Sequence, residues 1–381
     1  MKKILSVIVV VVVTLTQTAQ ITAFAQETDK PAVNAQACVL YCVDDGKVYF
    51  SVNENKKMKP ASTTKLMTSL ITLEYADSAD KVVAFTKDMT AEGSSMYLKV
   101  GEKVKLSDLA VGMMMASGND AANAAAISIA GSAEKFSELM NNRAAVIGMK
   151  NTHFVTPSGL DDENHYSTAY DMALLMSYAL ENESFAKLTS RKSVTVEFSE
   201  PQSKRTTYTN HNRLLSMYEY CTGGKTGYTM AAGRCLVSSA KKDGLTFVCV
   251  TLNDRNDWND HIALYNYGFS KLACVECDDS DYYLEIPCAG GDDESIGVTG
   301  TKGKNVVVPF DKKSNVVRTA YADNFLYAPV KDGDIVGRIV YTLDGKTLAS
   351  TNLTAVEYSN TQNKNKSIWT KIKDFFTYGK E

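Results

Sequence analysis

Ser62 and Lys65 stand three residues apart in Pro60-Ala61-Ser62-Thr63-Thr64-Lys65-Leu66-Met67-Thr68. On a helix, positions three apart share a face, so the hydroxyl and the amine would lie one above the other. A serine hydroxyl is a weak nucleophile until a neighbouring base takes its proton. A lysine is such a base only when burial or nearby positive charge lowers its pKa. The first turn of a helix also offers free backbone N–H groups to a developing oxyanion. The chemistry implied is acyl transfer through an acyl-serine. Taken alone, S-x-x-K describes many helix starts with a solvated lysine.

Two further constellations change that balance. Ser117-Gly118-Asn119 falls where one helical pattern (Leu106, Leu109, Ala110, Met113, Met114) ends and an alanine-rich one begins at Asp120. Such a turn can aim two polar side chains into a cleft, although serine and asparagine there are also common helix caps. Gly223-Gly224-Lys225-Thr226-Gly227-Tyr228-Thr229 surrounds a lysine with glycines that let a ligand or another backbone come close. By itself it would pass for an exposed lysine in a glycine-rich turn.

The elements that must hold these groups are legible from periodicity. Ala37 to Val43 and Lys47 to Val52 read as strands joined at Asp45-Gly46, a hairpin signal. Pro60 opens a helix whose stripe is Leu66, Leu70 and Leu73, with Met67 and Ile71 beside it. Residues 77 to 104 are mixed and loop-rich, with a turn at Gly93-Ser94-Ser95. Glu134 to Ile147 and Asp171 to Glu181 are predicted helices, the first ending at Gly148. Ser193 to Phe198 alternates as a strand. Cys235 to Ala240 and Thr246 to Leu252 form a predicted hairpin beside Lys225, and His261 to Phe269 a closing helix. Residues 26 to 36 are polar and are expected to be disordered.

With 381 residues the chain is long enough for two domains, and 44% hydrophobic with 22% charged content places it among globular proteins. Met1-Lys2-Lys3, the apolar run Ile4 to Val13 and Ala23-Phe24-Ala25 form a basic region, a hydrophobic region and an A-x-A cleavage site, which together predict a secretory signal peptide. Its removal takes away two lysines and no acid, changing the formal net charge from −3 to −5. That charge excludes a basic nucleic-acid footprint. Eight cysteines in an exported chain would suggest disulfides, but Cys38, Cys42, Cys235 and Cys249 sit in apolar strands. Free buried thiols are therefore expected, with a Cys274–Cys277 bridge as a minor reading. Neither a metal site nor a cofactor motif is present.

The set S-x-x-K, S-x-N and K-T-G, in this order, is the established signature of penicillin-binding proteins and class A β-lactamases. The flanks match as well: Ala116-Ser117-Gly118-Asn119-Asp120-Ala121, Gly148-Met149-Lys150-Asn151-Thr152-His153-Phe154 and Gly224-Lys225-Thr226-Gly227-Tyr228-Thr229-Met230-Ala231-Ala232-Gly233. Over nearly the whole mature chain the sequence resembles the low-molecular-mass penicillin-binding proteins that act as D-alanyl-D-alanine carboxypeptidases. S-G-N in place of S-D-N favours them over class A β-lactamases.

The resemblance implies an α+β fold, an antiparallel sheet flanked by helices with a helical subdomain, and a small C-terminal all-β domain. It implies that Ser62 attacks the peptidoglycan stem peptide between its last two D-alanines, with Lys65 as base and Ser117 as proton relay to the leaving amine. Asn119 would bind the substrate amide. Lys225 and Thr226 would hold the terminal carboxylate, beside Gly227, and Ser62 and Tyr228 would supply the oxyanion N–H groups. β-Lactam antibiotics would acylate Ser62 and deacylate slowly. Tyr228 stands where several relatives have histidine, which preserves a backbone role only. His211-Asn212-Arg213 would line the carboxylate side; His153 and His165 read as structural.

From about Asp281 short β-like runs follow, and the tail from Ser367 to Tyr378 places Ile368, Trp369, Ile372, Phe375 and Phe376 on one helical face. The expected organisation is a signal peptide over 1–25, a catalytic domain over 26–278, a β domain over 279–360, and a linker with an amphipathic helix over 361–381. That helix would hold the protein on the outer surface of the cytoplasmic membrane. The competing activities are a β-lactamase, for which Glu163 has no firm motif context, a DD-endopeptidase, and a dead penicillin-binding module.

Overall fold

The computed structural model describes residues 30–291 and 293–356. The expected signal peptide and amphipathic tail lie outside the described residues. The chain opens with strands β1 (Ala37–Cys42) and β2 (Lys47–Val52), then a 3-10 turn over Ala61–Thr64 that runs into α1 (Lys65–Ser78). Two short strands, β3 (Val82–Ala84) and β4 (Lys103–Lys105), precede the helices α2 (Leu106–Met115), α3 (Asn119–Ala130) and α4 (Ala133–Ile147). Next come α5 (Ala169–Ala179), α6 (Glu183–Thr189), the hairpin β5 (Ser193–Glu197) and β6 (Arg205–Thr209), and the single turn α7 (Leu214–Met217). Strands β7 (Cys221–Thr229), β8 (Gly233–Lys242) and β9 (Leu245–Leu252) lead to α8 (Asp257–Lys271) and β10 (Leu272–Val275).

β2, β1, β9, β8 and β7 form one antiparallel sheet in that order, so the two ends of the catalytic sequence meet in its centre. β1 is buried along its whole length. Its alternate residues serve different faces, as a pleated strand requires. Ala37, Val39 and Tyr41 join the large core under the helices, whereas Leu40 meets Gly268 of α8 on the other side. β7 is an edge strand, paired only with β8.

The apolar stripe of α1 is buried as its spacing predicts: Leu66, Met67 and Leu70 are fully covered, and Ile71 and Leu73 nearly so. Each such side chain contributes about 1.5–3 kcal/mol through burial. α3 packs beside it with Ala121, Ala122, Ala124, Ala125 and Ala126 all fully buried. Only side chains this small let the backbone of that helix come close to its neighbours.

One expectation is corrected. The segment around Asn34–Gln36 is not disordered: Gln36 donates its N–H to Leu252 O, and Asn34 donates to Asp260 Oδ2 at 2.6 Å. The glycine-rich stretch that carries Lys225 lies inside β7, so this lysine is on a strand beside a hairpin, as expected, and not in an exposed turn. All eight cysteines are free thiols, six of them buried, so the Cys274–Cys277 bridge is absent.

The C-terminal part adds β11 (Tyr283–Ala289), β12 (Ser295–Gly300), β13 (Val306–Pro309), β14 (Val317–Ala322), β15 (Leu326–Tyr327), β16 (Ile335–Leu343) and β17 (Lys346–Ala355). Six of these form a sheet in the order β14-β16-β17-β12-β11-β15 around a core that includes Ile286, Ile296, Val298, Ile339 and Leu353. It is antiparallel except where β15 runs parallel to β11. β10 pairs with β13, from Leu272↔Pro309 to Val275↔Val306. Among the described residues no helix is long and apolar enough to cross a membrane.

Candidate active site

Ser62 sits in the 3-10 turn and Lys65 is the first residue of α1. In 3-10 geometry residues three apart eclipse one another, so the pairing is tighter than an α-helix would make it. Lys65 Nζ lies 2.9 Å from Ser62 Oγ. The same nitrogen is 2.7 Å from Asn119 Oδ1 and 2.6 Å from the Ser158 carbonyl oxygen. Lys65 is fully buried. Burial, and then the charge of nearby Lys225, hold its amine well below the ordinary lysine range.

Ser117 occupies the turn between α2 and α3 with φ of 57°, a left-handed conformation that a non-glycine residue keeps only where its surroundings impose it. Its hydroxyl accepts a hydrogen bond from Lys225 Nζ at 3.1 Å. Lys225 Nζ also donates to Thr226 O at 2.7 Å. Burial pushes the Lys225 amine down to about 7. Two lysines and two serines thus converge from three elements separated by more than 50 residues in sequence.

Asn119 is held on both sides. Its Oδ1 accepts from Lys65, and its Nδ2 donates to Glu92 O at 2.6 Å. One Oδ1 lone pair and one Nδ2 hydrogen remain for a substrate. The neighbouring Asp120, buried, was not singled out from the sequence. Its carboxylate accepts from Met96 N (2.8 Å), Leu98 N (3.1 Å), Ser95 Oγ (2.7 Å) and Ala121 N (2.9 Å). It therefore ties the Gly93-Ser94-Ser95 loop to the start of α3, which brings Ser94 to the cleft beside Ser62 and Ser117.

Gly227 places the edge of β7 against the nucleophile turn: a Cβ on it would stand 3.0 Å from both Ser62 N and Thr63 N. Gly159 does the same from the other side. Its φ is 81°, and a Cβ there would fall 2.0 Å from Ala61 O. That glycine lets the Pro157-Ser158 segment lie on the turn and point the Ser158 carbonyl at Lys65. His165 is structural. Its Nδ1 accepts from Val155 N at 3.0 Å, so Nε2 carries the hydrogen toward Thr64 Oγ1 at 2.9 Å, and burial lowers its pKa to about 4. His153 bonds Asn164 O at the surface.

The cleft at Ser62 has a volume of about 490 Å³ and is walled by Ser117, His211, Thr226 and Tyr228 on the motif side. The far wall is Arg234, Asp257 and Trp258, none of which sequence reasoning identified. Arg234 opposes Tyr228 across the β7–β8 ladder and donates Nε and Nη2 to the Asp257 carboxylate at 2.7–3.1 Å, with its guanidinium over Trp258. No spacing rule connects Arg234 to Asp257; the turn after β9 brings them together. A larger cavity of about 810 Å³, bordered by Asp44, Lys242, Cys274 and Phe310, contains none of the motif residues. No group among the described residues could hold a metal ion.

Residues 24–256 match the family described as D-alanyl-D-alanine carboxypeptidase, and residues 278–359 match the C-terminal domain of penicillin-binding protein 5. The chain is 32% identical over 372 residues to the D-alanyl-D-alanine carboxypeptidase DacF of Bacillus subtilis, covering 94% of each protein. It is 34% identical over 362 residues to DacC of Escherichia coli, covering 88% of this chain and 87% of that one. The crystal structure of penicillin binding protein 5 from Haemophilus influenzae superimposes with a TM-score of 0.64 at 29% identity, covering 87% of this chain and 98% of the other.

Proposed function

The chain belongs to the D-alanyl-D-alanine carboxypeptidase family and is a serine-type D-Ala-D-Ala carboxypeptidase of cell-wall metabolism, and we propose that it acts through an acyl-Ser62 intermediate. The reading rests on one observation, the three contacts of Lys65 Nζ. A neutral amine has two hydrogens and one lone pair. Two of its neighbours, Asn119 Oδ1 and Ser158 O, can only accept. Both hydrogens go to them, and the lone pair faces the Ser62 hydroxyl.

Lys65 takes the Ser62 proton as Oγ attacks the carbonyl between the last two D-alanines of a peptidoglycan stem peptide. The Ser62 and Tyr228 N–H groups receive the developing oxyanion. The C–N bond breaks, Ser117 passes a proton to the departing nitrogen, and D-alanine leaves. Water then hydrolyses the ester and restores Ser62. Tyr228 is required only for its backbone, which suits a side chain that is 65% exposed.

The terminal carboxylate is held by the Thr226 hydroxyl with Arg234 as the facing cation. Lys225 and Thr226 are consecutive in a strand, so their side chains leave opposite faces. Lys225 is turned toward Ser117 and acts on the proton relay. Thr226 shares its face with Arg234, two residues along the neighbouring strand. A β-lactam enters as a substrate mimic and leaves a long-lived acyl-enzyme.

Export by the leader over residues 1–25 and attachment of the tail over 361–381 to the outer face of the cytoplasmic membrane belong to the same proposal, as does a division of the mature chain at residues 278 and 279. The separate apolar cores support that division. Deleting residues 364–381 should move the protein from membrane to soluble fractions; unchanged partition would remove the anchor.

The test of the chemistry is to follow intact mass after adding a labelled penicillin, and then D-alanine release from a stem pentapeptide. A stable single adduct that is lost in Ser62→Ala, with D-alanine released, is the expected result. Fast turnover without an adduct would mean a β-lactamase, cleavage of cross-linked dimers an endopeptidase, and neither adduct nor release a dead site.

A further inference from the structure

Two carboxylates lie behind the far wall of the cleft with no cation from the described residues between them. Asp254, in the turn after β9, is completely buried, and Asp260, one turn into α8, is 2% exposed. The same residue bonds both: Asn256 N–H donates to Asp254 Oδ1 at 2.9 Å, and Asn256 Nδ2 donates to Asp260 Oδ1 at 2.7 Å. Asp260 Oδ2 accepts from Asn34 N at 2.6 Å. Asp254 Oδ2 accepts from nothing; among the described residues it is one of two buried side-chain oxygens without a donor.

Among the described residues the surroundings supply no positive charge. Arg234, the cation on the adjacent strand, is committed to Asp257. Arg255 is exposed on the outer side of the turn. Cys38 on β1 and Cys249 on β9 face the pair as neutral thiols, their pKa values raised chiefly by burial. His261 on α8 is buried between Ser238 and Thr251 and uncharged, lowered to about 3. Two ionised carboxylates cannot be stable side by side in such a place, and a proton on Asp254 Oδ2 satisfies both groups at once.

We propose that Asp254 and Asp260 share one proton in the folded protein, and that this acid–carboxylate bond fastens the first turn of α8 so that Asp257 and Trp258 hold Arg234 in the cleft. Asp254 is thus a positioning residue for the carboxylate-reading guanidinium. The positioning half rests on the reading of Arg234 given above; the shared proton does not.

Burial raises the Asp254 pKa from 3.8 to about 6, with Asp260 and Asp257 adding to the shift. Between those two values the unfolded chain has released its proton and the folded chain has not. The pair therefore loses stability as pH rises through that window, and the loss is complete above it. His165 and His261 act in the opposite direction over part of the same range, so the informative quantity is the difference between wild type and variant.

Asp254→Asn keeps a donor to Asp260 at every pH. The thermal midpoint of the full-length protein would be followed between pH 4 and pH 8 for wild type and Asp254→Asn, and the carboxyl carbons titrated by NMR. The variant should gain relative to wild type as pH rises from about 4 to about 6, and one carboxyl should titrate near 6. Parallel midpoint curves, or no carboxyl titrating above 5, would overturn the shared proton. These readouts need no substrate, so they stand even if the enzyme assay fails.

With substrate, Asp254→Ala should raise KM for a stem pentapeptide about tenfold with little change in kcat, and Asp254→Asn should restore it. Equal KM in all three proteins would overturn the positioning role while leaving the proton in place. Should Asp254→Ala not fold, wild type against Asp254→Asn at pH 8 makes the same comparison, with wild type showing the higher KM.

Discussion

Lys225 and Thr226 are adjacent in β7, yet their side chains leave opposite faces of the strand. Lys225 Nζ is buried against Ser117 Oγ at 3.1 Å, whereas Thr226 borders the open cleft with Arg234. In the mechanism proposed above, the strand pleat divides a contiguous motif into a proton-relay side and a carboxylate side.

That division can be measured. Arg234→Gln should lower kcat/KM for a stem pentapeptide about 10- to 100-fold, mostly through KM, the size of a lost charge-assisted hydrogen bond. Lys225→Ala should act mainly on kcat. If both variants changed KM and kcat in the same proportion, the two-sided assignment would fail.

Lys65 must be neutral to accept a proton. Penicillin acylation should rise with pH and level off well below the range where an ordinary lysine titrates, because burial and Lys225 depress its pKa. Lys65→Ala should slow acylation about 10²- to 10⁴-fold, the usual contribution of a general base. A rate that kept climbing to pH 10 would point to a solvated lysine instead.

Gly159→Ala should lower the thermal midpoint and slow acylation together. The new Cβ would collide with the Ala61 carbonyl, and alanine is strained at a φ of 81°. A cost of at least about 1 kcal/mol follows from the backbone conformation alone. A variant as stable and as fast as wild type would show that the Pro157-Ser158 segment does not rest on the nucleophile turn.

His165 contributes on the acid side. Its pKa is about 4 in the folded protein against 6.5 for the free group, so stability should fall as pH drops from about 6.5 to 4. Exchanging the histidine for glutamine, which keeps a donor for Thr64, should flatten that part of the midpoint-versus-pH curve. An unchanged slope would mean another group dominates.

Thiol chemistry offers a check on the whole fold. Iodoacetamide should label at most Cys221 and Cys288 in the native protein and all eight cysteines after unfolding, with no mass change on reduction. Rapid native labelling of Cys38 or Cys249 would contradict a sheet buried on both faces.

What could be read from the sequence follows a physical line. Ser62, Lys65, Ser117, Asn119 and Lys225 were visible because their chemistry demands certain residue types at short spacings. α1 was visible because Leu66, Leu70 and Leu73 repeat at the helical period. Gly223 and Gly224 left a turn open as an alternative to the strand, since glycine is rare inside strands. Here a Cβ on Gly224 would meet Val237 O at 2.3 Å and one on Gly223 would meet Thr189 Cγ2 at 2.4 Å, so tight packing and not turning requires them. Arg234, Asp257 and Trp258 carry no local signal; a β8 residue and the start of α8 become neighbours only when the sheet is complete.

The pairing of β1 with β9 fixes a schedule for the chain's birth. Ala37 bonds opposite Leu252, so the strand synthesised first waits for one that leaves the ribosome more than 200 residues later. Until then the β1–β2 hairpin has one open, wholly apolar edge, the kind of surface that other chains readily join. Such long-range closure is slow. Residues 53–244 must therefore be made, and kept from competing partners, before the centre of the sheet can exist. A chaperone with affinity for extended apolar segments would find its target in β1.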